Sequence, residues 1–371
     1  MSYFKKSLLP ATALVTLLMS PFAQAQTWTQ DGPAPRFRHS GIYDVATDQM
    51  VIFGGESATG PLNDLWSVSG IVSAGQMTTK TPYHWVQIFP TGTAPSARYG
   101  HGGAYDSVST NMMVFAGGTS ATACLNDFWL LEDANSSEGI PSWVEMSPSG
   151  TPPPARMNHV TQYDPNTNSL IVFGGSNCAS GYLADVWVLS NANGEAGTPT
   201  WTQLSPSGVG PSARENASAI YDSTNNVLTL YAGDAGSTGL SDVWSLSNAN
   251  GTGGTPVWTH LSPTGTAPMA RTGQISVYDS KDNRMIMYGG INALTGADFL
   301  EDTWILTYPN NIGGTPAWIS VKVTGTAPQR RFSSAFYSSA DNDLVIFGGE
   351  SMISASPWDD RTFILSVAND L

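Results

Sequence analysis

Eight of the chain's 15 basic side chains fall in six short segments built on Pro-x-x-Arg: Arg36, Arg38, Arg98, Arg156, Arg214, Arg271, Arg330 and Arg331. A guanidinium is planar, permanently charged and forked, which suits it to bidentate capture of a carboxylate or sulfate. Arg36, Arg98, Arg156, Arg214, Arg271 and Arg331, one per segment, are therefore candidate ligand-binding residues. The same recurrence fits a structural role, each arginine tying its segment to backbone carbonyls or to an aspartate. Glu56 and Glu350 each follow a Gly-Gly pair, both as Gly-Gly-Glu-Ser. Two carboxylates beside arginines are the set needed for acid/base work on a sugar, so they are the candidate catalytic residues; the alternative is two solvated loop glutamates. His39, His101 and His159 stand three residues after an arginine and could approach a shared ion. The later segments carry Ala217, Gln274 and a serine there, which favours buried hydrogen-bonding histidines and no metal site. Cys124 and Cys178 are the only cysteines and form either one disulfide or two free thiols.

These residues sit in a repeat. Each unit opens on a tryptophan: Trp28, Trp85, Trp143, Trp201, Trp258 and Trp318. The arginine element follows; the first five arginines are 62, 58, 58 and 57 residues apart. The sixth copy, Pro328-Gln329-Arg330-Arg331, reads as one residue shorter before its tyrosine. Next come Tyr-Asp, an apolar run into Gly-Gly, and Asp-x-Trp, with Gly233-Asp234 departing in the fourth copy and Phe363 replacing tryptophan in the last. Each unit thus offers about four short β runs. Asp164-Pro-Asn-Thr-Asn168 and Asp222-Ser-Thr-Asn-Asn226 are hairpin loops that tolerate positive φ. With 38 glycines, 12 tryptophans and 12% charged residues, the composition suits short strands and tight turns. A four-stranded unit cannot bury both faces alone, and six stacked around an axis can. The expectation is an all-β, six-bladed propeller spanning residues 26–371 as one domain. The strand at Trp28 supplies the fourth strand of the last blade, whose own chain ends just after its third.

The motif order resembles the kelch repeat, as in the central propeller of galactose oxidase, over essentially the whole chain after residue 25. The resemblance implies that the arginines start the innermost strands near the channel mouth, sharing a face with the loops after Gly-Gly. Glu56 and Glu350 then belong to neighbouring blades, as in kelch-type sialic acid mutarotases, whose site lies in such a funnel. Cys124 and Cys178 fall in equivalent loops of adjacent blades, so a bond between them would staple blade two to blade three. The Asp-x-Trp aspartates recur once per blade, which argues against calcium and for turn hydrogen bonds; the tryptophans read as interblade packing, with Trp358 an exposed exception. The copper chemistry of galactose oxidase needs a Cys–Tyr crosslink, further ligands and a C-terminal domain, which this chain does not match, so no cofactor is expected.

Residues 1–25 read as a secretory signal: Lys5 and Lys6, a mostly apolar stretch, then Ala23-Gln24-Ala25 as cleavage site. After its loss 13 basic side chains face 29 acidic ones, a net charge of −16, which repels nucleic acid and anionic lipid. No membrane span is expected after cleavage. Asn135, Asn216 and Asn250 open Asn-x-Ser/Thr sequons, relevant in a eukaryotic host. The leading reading is a secreted or periplasmic monomeric binding module that presents an arginine-rimmed funnel to an extracellular glycan or protein. The rivals are a carbohydrate-active enzyme using Glu56 or Glu350, similar to the mutarotases, and a structural surface protein.

Overall fold

The computed structural model describes residues 32–71, 84–179, 181–236, 239–323, 327–339, 342–351 and 362–366. The leader, the closing strand expected at Trp28, and Trp358 lie outside them. Every helix or strand element among the described residues is a β-strand. Five antiparallel meanders have four strands each in chain order. Blade one is Ser40–Asp44, Gln49–Phe53, Leu65–Ser69 and Trp85–Ile88. Blade two is Gly102–Asp106, Asn111–Ser120, Ala123–Glu132 and Ser142–Met146. Blade three is Val160–Asp164, Ser169–Ser176, Tyr182–Ser190 and Thr200–Gln203. Blade four is Ser218–Asp222, Val227–Asp234, Gly239–Ser247 and Val257–Leu261. Blade five is Ile275–Asp279, Arg284–Tyr288, Thr303–Thr307 and Ala317–Val321. Blade six shows Ser334–Ser338, Asp343–Phe347 and Thr362–Ser366. The first strand of each blade neighbours that of the next, and that of blade six neighbours that of blade one. The chain is a six-bladed β-propeller.

The second strands are apolar on both faces because both are buried between blades. The sequences Met50-Val-Ile-Phe, Met112-Met-Val-Phe and Leu170-Ile-Val-Phe have essentially no accessible surface. In blades one to four the aromatic at the end of the second strand meets the outer-strand tryptophan of the following blade. Phe53 meets Trp143, Phe115 meets Trp201, Phe173 meets Trp258 and Tyr231 meets Trp318, with ring centroids 4.8–5.4 Å apart. Phe347 of blade six meets Trp85 of blade one at 4.7 Å, so the same contact also joins last blade to first.

Closure is completed by backbone at the axis. Two positions after each arginine, Arg38, Gly100, Asn158, Asn216, Gly273 and Phe332 all take left-handed conformations, with φ between 53° and 68°. The N–H of each donates to the C=O of its counterpart in the preceding blade, at 2.7–3.2 Å, and Arg38 of blade one donates to Phe332 of blade six. The result is an unbroken circle of six N–H···O=C bonds. A second set of bonds crosses the blades at the other end of the inner strands. Asn135, Asn193, Asn250 and Asn310 each donate Nδ2, at 2.6–2.7 Å, to the Tyr-Asp aspartate of the blade before: Asp44, Asp106, Asp164 and Asp222. Asn135 and Asn250 are buried in these contacts, so two of the three sequons present no free amide.

The expected hairpin loops are present: Asn168 and Asn226 have φ near 50°, as do Asp48, Thr110, Asn283 and Asn342 at the equivalent place. Cys124 and Cys178 are disulfide-bonded with Cα atoms 5.6 Å apart, joining blades two and three. Closing that loop is worth roughly 4 kcal/mol in the chain-entropy model. A disulfide is consistent with an extracellular or periplasmic location. No helix among the described residues is long and apolar enough to cross a membrane.

The interblade asparagines generate a stability prediction. Asn250→Ala leaves the buried Asp164 carboxylate without one donor, a loss of about 2 kcal/mol. Urea unfolding should show the midpoint falling with an unchanged slope; an unmoved midpoint would show that the contact contributes nothing.

Candidate functional site

The repeated arginines are buried inside their own blades. Arg36, Arg98, Arg156, Arg214 and Arg271 have at most 1% of their surface accessible. Each grips the Asp-x-Trp aspartate of its blade with both terminal nitrogens: Asp64, Asp127, Asp185, Asp242 and Asp302, at 2.6–2.8 Å. Nε donates to the carbonyl two residues before and Nη1 also to one at the end of the second strand, as in Arg36 with Ala34 and Gly54, and in Arg98 and Arg214 Nη2 also donates to the Ser96 and Ser212 hydroxyls. The tryptophan of Asp-x-Trp donates Nε1 to the same carboxylate in all five blades. So the aspartates are filled by arginine and tryptophan rather than only by the backbone of their own turn, and these five guanidinium groups face no solvent. Burial alone would raise the five carboxyls; the arginine hydrogen bonds and charge outweigh it and hold all of them below the usual range.

The sixth repeat corrects the register read from the sequence. The buried arginine is Arg330, whose carbonyl accepts from Gly290 as that of Arg98 accepts from Gly55. It lies seven residues before Tyr337, the spacing of Arg36 to Tyr43. The missing residue therefore precedes the arginine, and Arg331 moves one place on, to the slot of Phe37 and Tyr99. The histidines are likewise structural. His39 and His101 share hydrogen bonds with Ser334 and Ser40 of the preceding blade, each at 2.8 Å. All three rings pack edge-on against Phe347, Phe53 and Phe115. Burial and the adjacent arginine keep them neutral, His101 down to about 3.

The two positions that follow the arginine, beside the axial circle, carry side chains that do not repeat. Arg38 occupies the axial circle with its guanidinium 4.4 Å from the centre of the Phe332 ring, 5.5 Å from Phe37 and 5.9 Å from Tyr99. Its Nε is buried without an acceptor, and no N–H of the side chain donates within the described structure. Arg331 lies over Phe332 and Phe299 and pairs with Glu350 at 2.7 Å. Glu56 and Glu350 are placed by matching backbone pairs, Glu56 with Phe37 and Glu350 with Arg331. Glu215, paired with Asp234 in the same way, accepts from Asn158 Nδ2 at 2.9 Å. Both charges meet here: Arg38 and Arg331 on aromatic faces, with Glu56, Glu350, Glu215 and Asp234 near them.

Burial raises Glu56; the nearby Arg38 charge opposes the rise and Glu350 adds to it. Glu215 is also raised, by burial and to a lesser extent by Asp234, against the Asn158 hydrogen bond and Arg38. Two carboxyls poised above their ordinary range beside a cation can hold or release a proton near a bound ligand. The structure therefore brings Glu56, Glu350 and Arg331 together and leaves Arg36, Arg98, Arg156, Arg214 and Arg271 in the frame. Sequence reasoning passed over Arg38, Glu215 and Asp234 as site residues. Their signal was present: charged types at slots that vary while everything around them repeats.

An all-β ring of six blades with a buried Arg–Asp–Trp cluster repeated in five of them defines a β-propeller. A model described as the KLHDC2/KLHL20/DRC7 Kelch-repeats domain matches residues 20–138 and 76–252, and the chain belongs to the kelch-repeat family. It is 25% identical over 234 residues to the Rab9 effector protein with kelch motifs of Danio rerio, covering 60% of this chain and 62% of that one. Against putative adagio-like protein 2 of Oryza sativa subsp. japonica it is 23% identical, covering 88% and 50%. Against multiple epidermal growth factor-like domains protein 8 of Homo sapiens it is 25% identical, covering 60% and 8%. The chain spans less than two thirds of each of these relatives. The solved structure titled "Structure of YjhT" superposes with a TM-score of 0.61 at 16% identity, covering 92% of this chain and 97% of that one, a likeness of fold.

Two outcomes follow for the buried pairs. Arg156→Ala strands Asp185 and should cost about 3 kcal/mol; Arg98→Ala should cost a similar amount. Differential scanning calorimetry decides: unchanged melting in both would make these arginines something other than framework. Because the five folded-state carboxyl values lie below the unfolded ones, their stabilisation is complete above about pH 4 and is lost as pH falls through the folded values. A melting temperature that stays flat from pH 5 to pH 2 would contradict the pairing.

Proposed function

We propose that the protein is an exported, monomeric binding module whose mouth receives an acidic group of an extracellular glycan or protein. The observation that carries this reading is Arg38. It is a cation held by three aromatic rings with no acceptor of its own, and a guanidinium so placed keeps its donor edge for a carboxylate or sulfate. Arg38 and Phe332 are also the two bulky residues of the axial circle. Left-handed backbone costs each of them about 1 kcal/mol or more, and strain of that kind collects where side chains are being positioned for use. In this reading Arg38 and Arg331 take the role that the sequence assigned to the ring of arginines. Kelch membership supports a protein partner, and the Danio rerio relative is by name an effector of Rab9. Export rests on the leader at residues 1–25 and accords with the disulfide.

A second reading has a specific observation behind it: Glu56 and Glu215, both raised by burial, flank Arg38. That is the arrangement of an acid/base enzyme acting on a sugar, similar to the mutarotases, with Glu350 engaged by Arg331.

A thermal-shift screen of the protein lacking residues 1–25 tests both. An acidic saccharide or acidic peptide present at about 100 times its dissociation constant should add roughly 2.7 kcal/mol, a rise of a few degrees. Arg38→Ala should melt like the parent and lose the rise. A rise that survives in Arg38→Ala sinks the assignment of the mouth. Glu56→Gln and Glu215→Gln separate the readings, since an enzyme loses turnover while keeping the shift and a binding module has no turnover to lose.

A further inference from the structure

The circle of six hydrogen bonds divides the propeller axis in two. Hydrogen-bonded neighbouring backbones stand about 4.8 Å apart, so six around an axis leave a passage that admits water and excludes a sugar ring. The charged mouth lies on one side. On the other, towards the Tyr-Asp ends of the inner strands, the channel widens into a cavity of about 380 Å³ whose wall includes Tyr105, Ser107, Thr161, Gln162 and Tyr163. A neighbouring cavity of about 270 Å³, walled by the tyrosines of blades four to six, shares Gln162. The first lies within the range of small-molecule sites, about 300–1,000 Å³.

The chemistry of this compartment is unlike that of the mouth. Among the described residues no charged side chain lines either cavity. The nearby aspartates Asp44, Asp106 and Asp164 are buried, with their oxygens filled by the interblade asparagines and their own turns. What remains is aromatic surface with neutral hydrogen-bonding groups. Gln162 donates Nε2 to the Ala219 carbonyl at 3.0 Å, and its Oε1 accepts nothing within the described structure. Tyr105 differs from its counterparts. Tyr43, Tyr163, Tyr221, Tyr278 and Tyr337 donate to an aspartate or asparagine five residues on. Blade two has Thr110 there, so the Tyr105 hydroxyl turns instead towards Asp44 of blade one, and the Thr161 hydroxyl in the same wall is buried without a hydrogen-bond partner. Burial and the aspartates behind them push the phenols of Tyr105 and Tyr163 above the ordinary value, so both remain donors.

We propose that this cavity is a second ligand site, separate from the mouth, for a small neutral polyhydroxylated molecule of monosaccharide size. Its ring lies against Tyr105 and Tyr163 and its hydroxyls pair with Gln162, Ser107 and Thr161. Aromatic faces with a few neutral polar groups suit such a ligand. An ion would lose its water in the cavity without gaining a counter-charge.

The test is saturation-transfer NMR and calorimetric titration of the protein lacking residues 1–25 with glucose, galactose, N-acetylglucosamine and glucuronate. At least one neutral sugar should bind, with affinity unchanged in Arg38→Ala, at least tenfold weaker in Gln162→Ala, and lost in Ser107→Trp. Ser107 is exposed, so the indole blocks the rim without entering the core, and an unaltered melting temperature verifies this. Glucuronate binding that persists in Ser107→Trp belongs to the mouth and leaves the neutral-sugar result as the deciding one. Neutral-sugar binding lost in Arg38→Ala but kept in Ser107→Trp places the ligand in the mouth and overturns the proposal. No neutral sugar bound at tens of millimolar makes the cavity a water-filled lumen and overturns it as well.

Discussion

Six peptide groups bonded head to tail around one axis require six residues in a left-handed conformation, and the propeller is built outward from that requirement. L-amino acids other than glycine and asparagine resist this conformation. Four of the six positions are Gly100, Asn158, Asn216 and Gly273, with Arg38 and Phe332 completing the circle. The constraint fixes the height of every inner strand relative to its neighbours. It thereby fixes where the preceding arginine sits, which aspartate it can reach, and which side chains stand at the mouth.

The buried Arg–Asp pairs translate this height into a stiff blade. Each arginine spans the start of the inner strand, the end of the second and the beginning of the third, and its aspartate also takes the tryptophan N–H. A charge pair this buried contributes little net stability over a well-packed apolar substitute, while losing one partner is costly. Its value lies in geometry: a bidentate fork accepts only one mutual orientation. The mouth residues are thus held by backbone pairs whose position five near-identical clamps enforce.

Fold and site were legible to different degrees. Blade number, strand order and the disulfide followed from repetition, because tryptophan, arginine, tyrosine and glycine each answer a need that recurs in every blade. The site was legible only in part for the same reason. Recurrence drew attention to Arg36, Arg98, Arg156, Arg214 and Arg271, which recur because they are framework. Glu56, Glu350 and Arg331 were singled out and lie close together in the structure, though Arg331 was assigned the slot that belongs to Arg330. Pro-x-x-Arg is ambiguous when two arginines adjoin, and counting back from Tyr337 resolves it. Arg38 and Glu215 were hidden because each charge occurs in a slot whose residue type changes from blade to blade, and Asp234 because its copy of the Gly-Gly motif is broken. The asparagine donors to Asp44, Asp106, Asp164 and Asp222 were hidden for another reason: their partners lie 86–91 residues away, beyond any local pattern.

Those asparagine bonds all point one way around the ring, from a later blade back to an earlier one. A chain emerging from its N-terminus therefore displays each aspartate well before the amide that will cap it exists. Blade one waits for Asn135, blade two for Asn193, blade three for Asn250 and blade four for Asn310. Completion travels as a wave that lags synthesis by about one and a half repeats. Until each amide arrives, that carboxylate has only its own turn and water to satisfy it.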